Sequence, residues 1–147
     1  MRALVQRVSE ASVEVENSVR GSIGRGMLVF LGIHENDTKA NADHLASKVI
    51  QLRIFPDSEG KMNLSLRDIS GELLVVSQFT LYGETRKGNR PSYSQAARPE
   101  VAVLLYEYFV KVCREKGVSV STGVFQADMR VRLINDGPVT LFCYSEN

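Results

Sequence analysis

Sulfur and imidazole are scarce in this chain. Among its 147 residues there are two cysteines and two histidines. Two thiols in a chain of this size do not make a disulfide scaffold. Cys113 sits among apolar residues at helical spacing and Cys143 lies in a terminal strand, so both read as buried, reduced thiols. His34 follows an apolar strand and His44 falls off the apolar stripe of a helix. Their spacing matches no metal motif, so structural or surface roles are expected, with no metal and no cofactor. An excess of one charge is also lacking: 18 Lys and Arg stand against 17 Asp and Glu, for a formal net charge of +1. A protein that coats nucleic acid through bulk charge is thereby excluded, and any RNA contact has to come from a local patch. No apolar run approaches the roughly 20 residues needed to span a bilayer. Met1-Arg2-Ala3-Leu4-Val5-Gln6-Arg7 has no signal-peptide apolar region, so a cytoplasmic protein without membrane contact is expected. Gly24-Arg25-Gly26 is too short for a dinucleotide fingerprint and precedes a strand, so it reads as a turn.

What the chain does have is apolar patterning, with 44% hydrophobic residues, enough for one domain spanning residues 1–147 with a core of its own. Leu4 to Val8 reads as a strand. Ser12 to Glu16 alternates at period two and reads as another, with a hairpin turn at Asn17-Ser18 into Val19–Ile23. Met27 to Ile33 is a continuous apolar run, the mark of a central strand covered on both faces. Asp37-Thr38 offers a cap for a helix whose buried stripe is Ala42, Leu45, Ala46, Val49 and Ile50. Arg53 to Phe55 predicts a short strand closed by a turn over residues 56–60, and Leu73 to Leu81 a longer one. A polar loop from Tyr82 to Pro99 follows, longer than an idle connection usually is. Val101, Leu104, Leu105, Tyr108, Phe109 and Val112 then predict a second amphipathic helix, stopped at Gly117. Two last strands, near Met129–Ile134 and Val139–Tyr144, are joined by an Asn-Asp-Gly-Pro turn. The sum is about eight strands and two main helices, an α/β domain with helices packed on a sheet.

Three segments could carry chemistry. In a strand through Ser77-Gln78-Phe79-Thr80-Leu81, alternation puts Gln78 and Thr80 on one face and Ser77, Phe79 and Leu81 on the other. This is either a solvated sheet face or a site offering a hydroxyl and an amide beside backbone donors. A Thr hydroxyl is a poor nucleophile without a base, and no histidine lies nearby in sequence. Arg86-Lys87-Gly88-Asn89-Arg90 is either a solvated loop or a phosphate contact, with Tyr82 and Tyr93 flanking it as candidates to stack on bases. Asn135-Asp136-Gly137-Pro138-Val139-Thr140 is a tight turn whose Gly-Pro unit turns carbonyls outward.

Taken together, the segments Ser77–Leu81 and Asn135–Thr140 resemble those of the D-aminoacyl-tRNA deacylases. The resemblance extends over essentially the whole chain, including the opening Met1 to Val8, Leu52-Arg53-Ile54-Phe55 and Lys87-Gly88-Asn89-Arg90-Pro91-Ser92. It implies a homodimer with a three-layer α/β/β fold that hydrolyses the ester between a D-amino acid and the terminal adenosine of tRNA. The implied partners are D-aminoacyl-tRNA and a second copy of the chain, with no membrane and no DNA. By the same likeness a cis Gly137-Pro138 unit of one subunit enters the other's pocket and excludes L-amino acids, leaving glycyl-tRNA acceptable. Backbone donors around Phe79 and Thr80 face the scissile carbonyl, next to Ser77 and Gln78. Thr80 is then either nucleophile or neighbour, with the ribose 2′-OH assisting a water in the second case, which the lack of a base favours. Phe125, Ala127 and Met129 are the implied adenosine contacts. Gln126 departs from an expected Gly in this stretch, and Tyr93 replaces an expected Phe. A non-catalytic RNA-binding dimer and a hydrolase of small D-amino-acid esters are the competing readings.

Overall fold

The computed structural model describes residues 1–145. Eight strands and two α-helices follow one another along them: β1 (Arg2–Val15), β2 (Ser18–Ile23), β3 (Gly26–Gly32), α1 (Lys39–Gln51), β4 (Phe55–Pro56), β5 (Met62–Leu64), β6 (Glu72–Ser77), α2 (Pro99–Glu115), β7 (Ser119–Thr122) and β8 (Arg130–Tyr144). The main sheet has the order β2-β1-β3-β6-β7, with β8 paired along β1, while β4 and β5 form a small separate sheet. The mixed α/β architecture expected from the patterning is the one observed. No helix is long and apolar enough to cross a membrane among the described residues.

The run at β3 is central because its two faces feed two cores. Met27, Val29 and Leu31 point to the side covered by α1 and α2, where they join Leu73, Val75, Phe109 and the buried stripe of α1. Leu28 points the other way and joins Leu74, Val76, Val8, Val13 and Ile23. Alternation along β3 and β6 thus separates the cores residue by residue. The second core is enclosed by the sheet itself. Its two end strands meet where the Ser121 hydroxyl of β7 donates to the Ser22 carbonyl of β2 at 3.2 Å. Helices thus cover one core, and the curled sheet closes over the other.

Local chemistry fixes the helices. Thr38 is the N-cap of α1, and its amide donates to Asn41 Oδ1 at 2.9 Å. Pro99 occupies the first turn of α2, where its missing N–H costs nothing. The buried Tyr106 hydroxyl donates to the Val75 carbonyl at 2.7 Å, tying α2 to β6, and burial pushes its pKa up. The β3–β6 pairing demands glycine at position 26, because a Cβ there would lie 1.8 Å from the Glu72 carbonyl oxygen.

Several expected boundaries move. The strands read at Leu4–Val8 and Ser12–Glu16 are one 14-residue strand. Exposed Ser9 and Glu10 interrupt its pattern but not its pairing, and register slips against β8 at Gln6/Val8 and Val8/Glu10 shift which parity faces which core. Ala3 and Val5 accordingly serve the helical core, and Val8, Ala11 and Val13 the other. The strand predicted through Leu81 ends at Ser77 and gives way to a 3-10 turn, Phe79–Tyr82. The predicted strand at residues 53–55 begins only at Phe55 and pairs with β5, an element too short to register as alternation. β7 is also short and partly polar, and parallel pairing with β6 defines it. Finally, the C-terminal pair of strands is the single 15-residue β8. Both halves pair β1 in the same antiparallel sense, so Asn135–Thr140 is a bulge and not a hairpin turn.

Candidate active site

The 3-10 turn at Phe79–Tyr82 caps the end of β6 and opens a cavity of about 660 Å³ between the sheet and the start of α2. Its lining includes Ser77, Gln78 and Phe79 from this corner, and Phe125, Ala127 and Met129 from the segment before β8. Six of the residues expected to form a site, distant in sequence, are therefore brought together. The change from strand to 3-10 geometry alters how they act. Gln78 and Thr80 do not share a sheet face; instead Gln78 Nε2 donates directly to Thr80 Oγ1. Thr80 is exposed and is not among the lining residues. Helix geometry leaves the first amides of such a turn, those of Phe79 and Thr80, without an intrahelical acceptor. The turn is pinned by the Gln78 amide donating to the Leu31 carbonyl at 2.8 Å.

The mouth of the cavity carries an aromatic pair. Phe79, 57% exposed, meets Tyr93 edge-on with ring centroids 5.0 Å apart. Tyr82, by contrast, is buried under the Arg2 guanidinium, 4.4 Å above its ring, which removes it as a stacking platform. The loop between them is a flap closed by an antiparallel bridge between Glu84 and Ser92. Within it Arg86 is engaged by Glu84 at 2.6 Å, and the Arg86 contacts hold the Glu84 carboxyl down to about 2. Lys87 and Arg90 remain exposed.

Gln126 sits on the cavity wall at the third position of a turn in which the Ala127 amide donates to the Val124 carbonyl at 3.2 Å. Its φ is +62°, the left-handed value that this position of a type II turn requires and that glycine adopts freely. That geometry is the physical reason a glycine is expected there.

Gly137 and Pro138 do not line this cavity within one chain; they stand exposed on the β8 bulge. The bulge puts five steps of β8 (135 to 140) against two of β1 (6 to 8). Asn135 closes its base, accepting from the Val139 amide and donating to Thr140 Oγ1, each at 2.8 Å. Arg7, which sequence reasoning missed, tethers it: Nε donates to the Asp136 carbonyl at 2.8 Å and Nη1 to the Ile54 carbonyl at 2.6 Å. The Gly137–Pro138 peptide is cis, and Gly137 has φ +139°. Along the same strand Ile134, Phe142 and Tyr144 are about half exposed or more.

His34 and His44 lie outside the cavity lining. His34 Nδ1 accepts from the Asn36 amide at 3.1 Å and the ring leans on Tyr82, while His44 is exposed on α1. Both thiols are buried, and burial pushes Cys113 up to about 12. Among the described residues no three His, Cys, Asp or Glu side chains group as a metal site.

Comparison with known proteins adds an independent line. The sequence profile of the D-Tyr-tRNA(Tyr) deacylase family matches residues 4–144. The D-aminoacyl-tRNA deacylase of Thermotoga petrophila is 59% identical over 141 residues, covering 96% of this chain and 95% of that protein. The D-aminoacyl-tRNA deacylase of Desulfotalea psychrophila is 56% identical, covering 99% and 98%. Among solved structures, one described as c-Myc DNA Unwinding Element Binding Protein superposes with a TM-score of 0.94 at 40% identity over the full length of both chains. Another, described as a probable eukaryotic D-amino acid tRNA deacylase, shares the fold with a TM-score of 0.83 at 21% identity, covering 97% of each chain. With profile, length and fold all in agreement, the chain belongs to the D-Tyr-tRNA(Tyr) deacylase family.

Proposed function

We propose that this protein is a hydrolase that cleaves the ester of D-aminoacyl-tRNA, releasing free D-amino acid and tRNA as a proofreading step of translation in the cytosol. The observation that carries the reading is the meeting of Ser77, Gln78 and Phe79 with Phe125, Ala127 and Met129 around one cavity of about 660 Å³. In it the amides of Phe79 and Thr80 supply the donors that stabilise a developing oxyanion, and the Phe125–Met129 segment holds the terminal adenosine. Thr80 acts as a neighbour of the reaction and not its nucleophile. Its oxygen is engaged by the Gln78 amide, which is no base, and among the described residues no imidazole or carboxylate hydrogen-bonds to it. A water assisted by the substrate's ribose 2′-OH then attacks the carbonyl.

Chiral selection comes from a second copy. The exposed, Arg7-tethered bulge at Gly137-Pro138 is a rigid backbone projection, and the half-exposed apolar residues beside it on β8 suit a homodimer contact. Entering the partner's cavity, it occupies the space an L side chain needs and leaves room for D-residues and for glycine. Lys87 and Arg90 on the flap contact the tRNA backbone.

The test offers the purified protein matched D- and L-tyrosyl-tRNA and follows ester loss. Turnover of the D-ester alone is expected. Binding without turnover would instead establish a non-catalytic RNA-binding protein, and equal rates on free D-amino-acid esters a small-ester hydrolase.

A further inference from the structure

Among the described residues lining the cavity, Arg98 is the single side chain with a formal charge; the rest are apolar, small or neutral polar. Its backbone is held on both sides. Ala97 is buried and its amide donates to the Ile33 carbonyl at 2.9 Å, while Ala96 bridges His34. On the other side Pro99 starts α2, and the Val101 and Ala102 amides donate to the Arg98 carbonyl at 3.0 and 2.9 Å. The exposed Arg98 side chain therefore springs from a fixed stretch of backbone on the wall. Arg86, on the flap nearby in sequence, has its charge answered by Glu84; among the described residues no carboxylate lines the cavity to do the same for Arg98. A planar guanidinium without an internal counterion is matched to a carboxylate or a phosphate.

The substrate decides between these anions. Esterification has consumed the amino acid's carboxylate, its α-amine is cationic, and ribose and adenine are neutral. The nearest anion on an aminoacylated 3′ end is the phosphodiester on the 5′ side of the terminal nucleotide. We propose that Arg98 binds this phosphodiester, so that the cavity engages esters carried on a polynucleotide in preference to free esters. The proposal rests on the deacylase reading and adds the contact that ties the cavity to the nucleic-acid chain.

The test uses two non-hydrolysable analogues, 3′-(D-tyrosylamino)-3′-deoxyadenosine and its 5′-methyl phosphate diester, with affinities measured by calorimetry. The wild-type protein is expected to favour the phosphate-bearing analogue about tenfold, in keeping with one charge-assisted contact. Arg98→Gln is expected to abolish that preference and Arg98→Lys to keep part of it. With D-tyrosyl-tRNA, Arg98→Gln should lower kcat/KM about tenfold, the loss carried in KM. The slope of log kcat/KM against log salt should flatten by about 0.7, the value for one contact to a single strand. A phosphate preference that survives in Arg98→Gln, or an equal loss on both analogues, overturns the assignment while leaving the deacylase reading intact. Wild-type protein that binds neither analogue and hydrolyses no D-tyrosyl-tRNA refutes the underlying reading instead.

Discussion

Substituting Gly137 by alanine tests the bulge as a rigid, shape-determining element. At φ +139° the residue occupies a region that L side chains enter at a cost of about 1–3 kcal/mol. The added Cβ would also lie 2.8 Å from Val139 Cγ2, 2.9 Å from Arg7 Nη2 and 3.0 Å from the Val139 backbone nitrogen. The side-chain neighbours can yield, but the main-chain one moves only with the bulge. Shifting Arg7 weakens its bonds to the Asp136 and Ile54 carbonyls, each worth about 1.5–3 kcal/mol as a hydrogen bond from a charged donor. Partial loss of these together with the backbone strain gives about 3 kcal/mol of destabilisation. At an m-value of about 2 kcal/mol/M, the urea midpoint should fall by about 1.5 M. Hydrolysis of D- and L-tyrosyl-tRNA by the same preparation should show a reduced preference for the D-ester. An unchanged midpoint would refute the steric argument. A lowered midpoint with intact preference would refute the role of the bulge in selection.

Other consequences are open to simpler measurements. Thr80→Ala should retain activity within about tenfold of wild type, because a hydroxyl without a base contributes little nucleophilicity; near-complete loss in a folded variant by circular dichroism would make the hydroxyl essential. Cys113, pushed up to about 12 by burial, should resist iodoacetamide at pH 8 in the folded protein and react once urea unfolds it. The stability gained by keeping that thiol neutral is complete below the unfolded value near 8.5 and is lost as pH rises towards 12, so denaturation midpoints should fall across that interval. Gly26→Ala should prevent stable folding, since its Cβ would overlap the Glu72 carbonyl, and soluble expression with a cooperative melt would contradict the pairing described for β3 and β6.

Much of this was legible because apolar periodicity reports burial directly. The continuous run at β3 and the stripe of α1 carried unambiguous signals and lie where they were expected. By contrast, α2 forms as a helix but buries Ala102, Leu105, Tyr106, Phe109, Val110, Val112 and Cys113. Val101 and Leu104 of the expected stripe are left exposed and Tyr108 half-buried, because a helix apolar on more than one side does not show which side faces the sheet. What escaped is what long-range pairing decides. Nothing local distinguishes an Asn-Asp-Gly-Pro hairpin turn from a bulge; only the shared neighbour β1 does. Apolar Phe79 and Leu81 continue the pattern of β6, yet the backbone leaves the sheet after Ser77. The residue types at the corner were readable, but their relation was not: Gln78 touches Thr80 through a turn and not across a pleat. Arg7 and Arg98 gave no signal, because a lone arginine in a strand or before a helix is ordinary until its neighbours are known. Gln126 was visible as an anomaly, and the left-handed turn explains it.

The crossing of β1 from one core to the other has a bearing on how the molecule comes apart. A strand whose first half seals the helical layer and whose second half seals the curled sheet cannot be released from either without loosening both. Melting should therefore be all-or-none. Amide protons of Val5 and Val13, on opposite sides of the slip, should exchange with solvent through the same global opening and at closely matched protection.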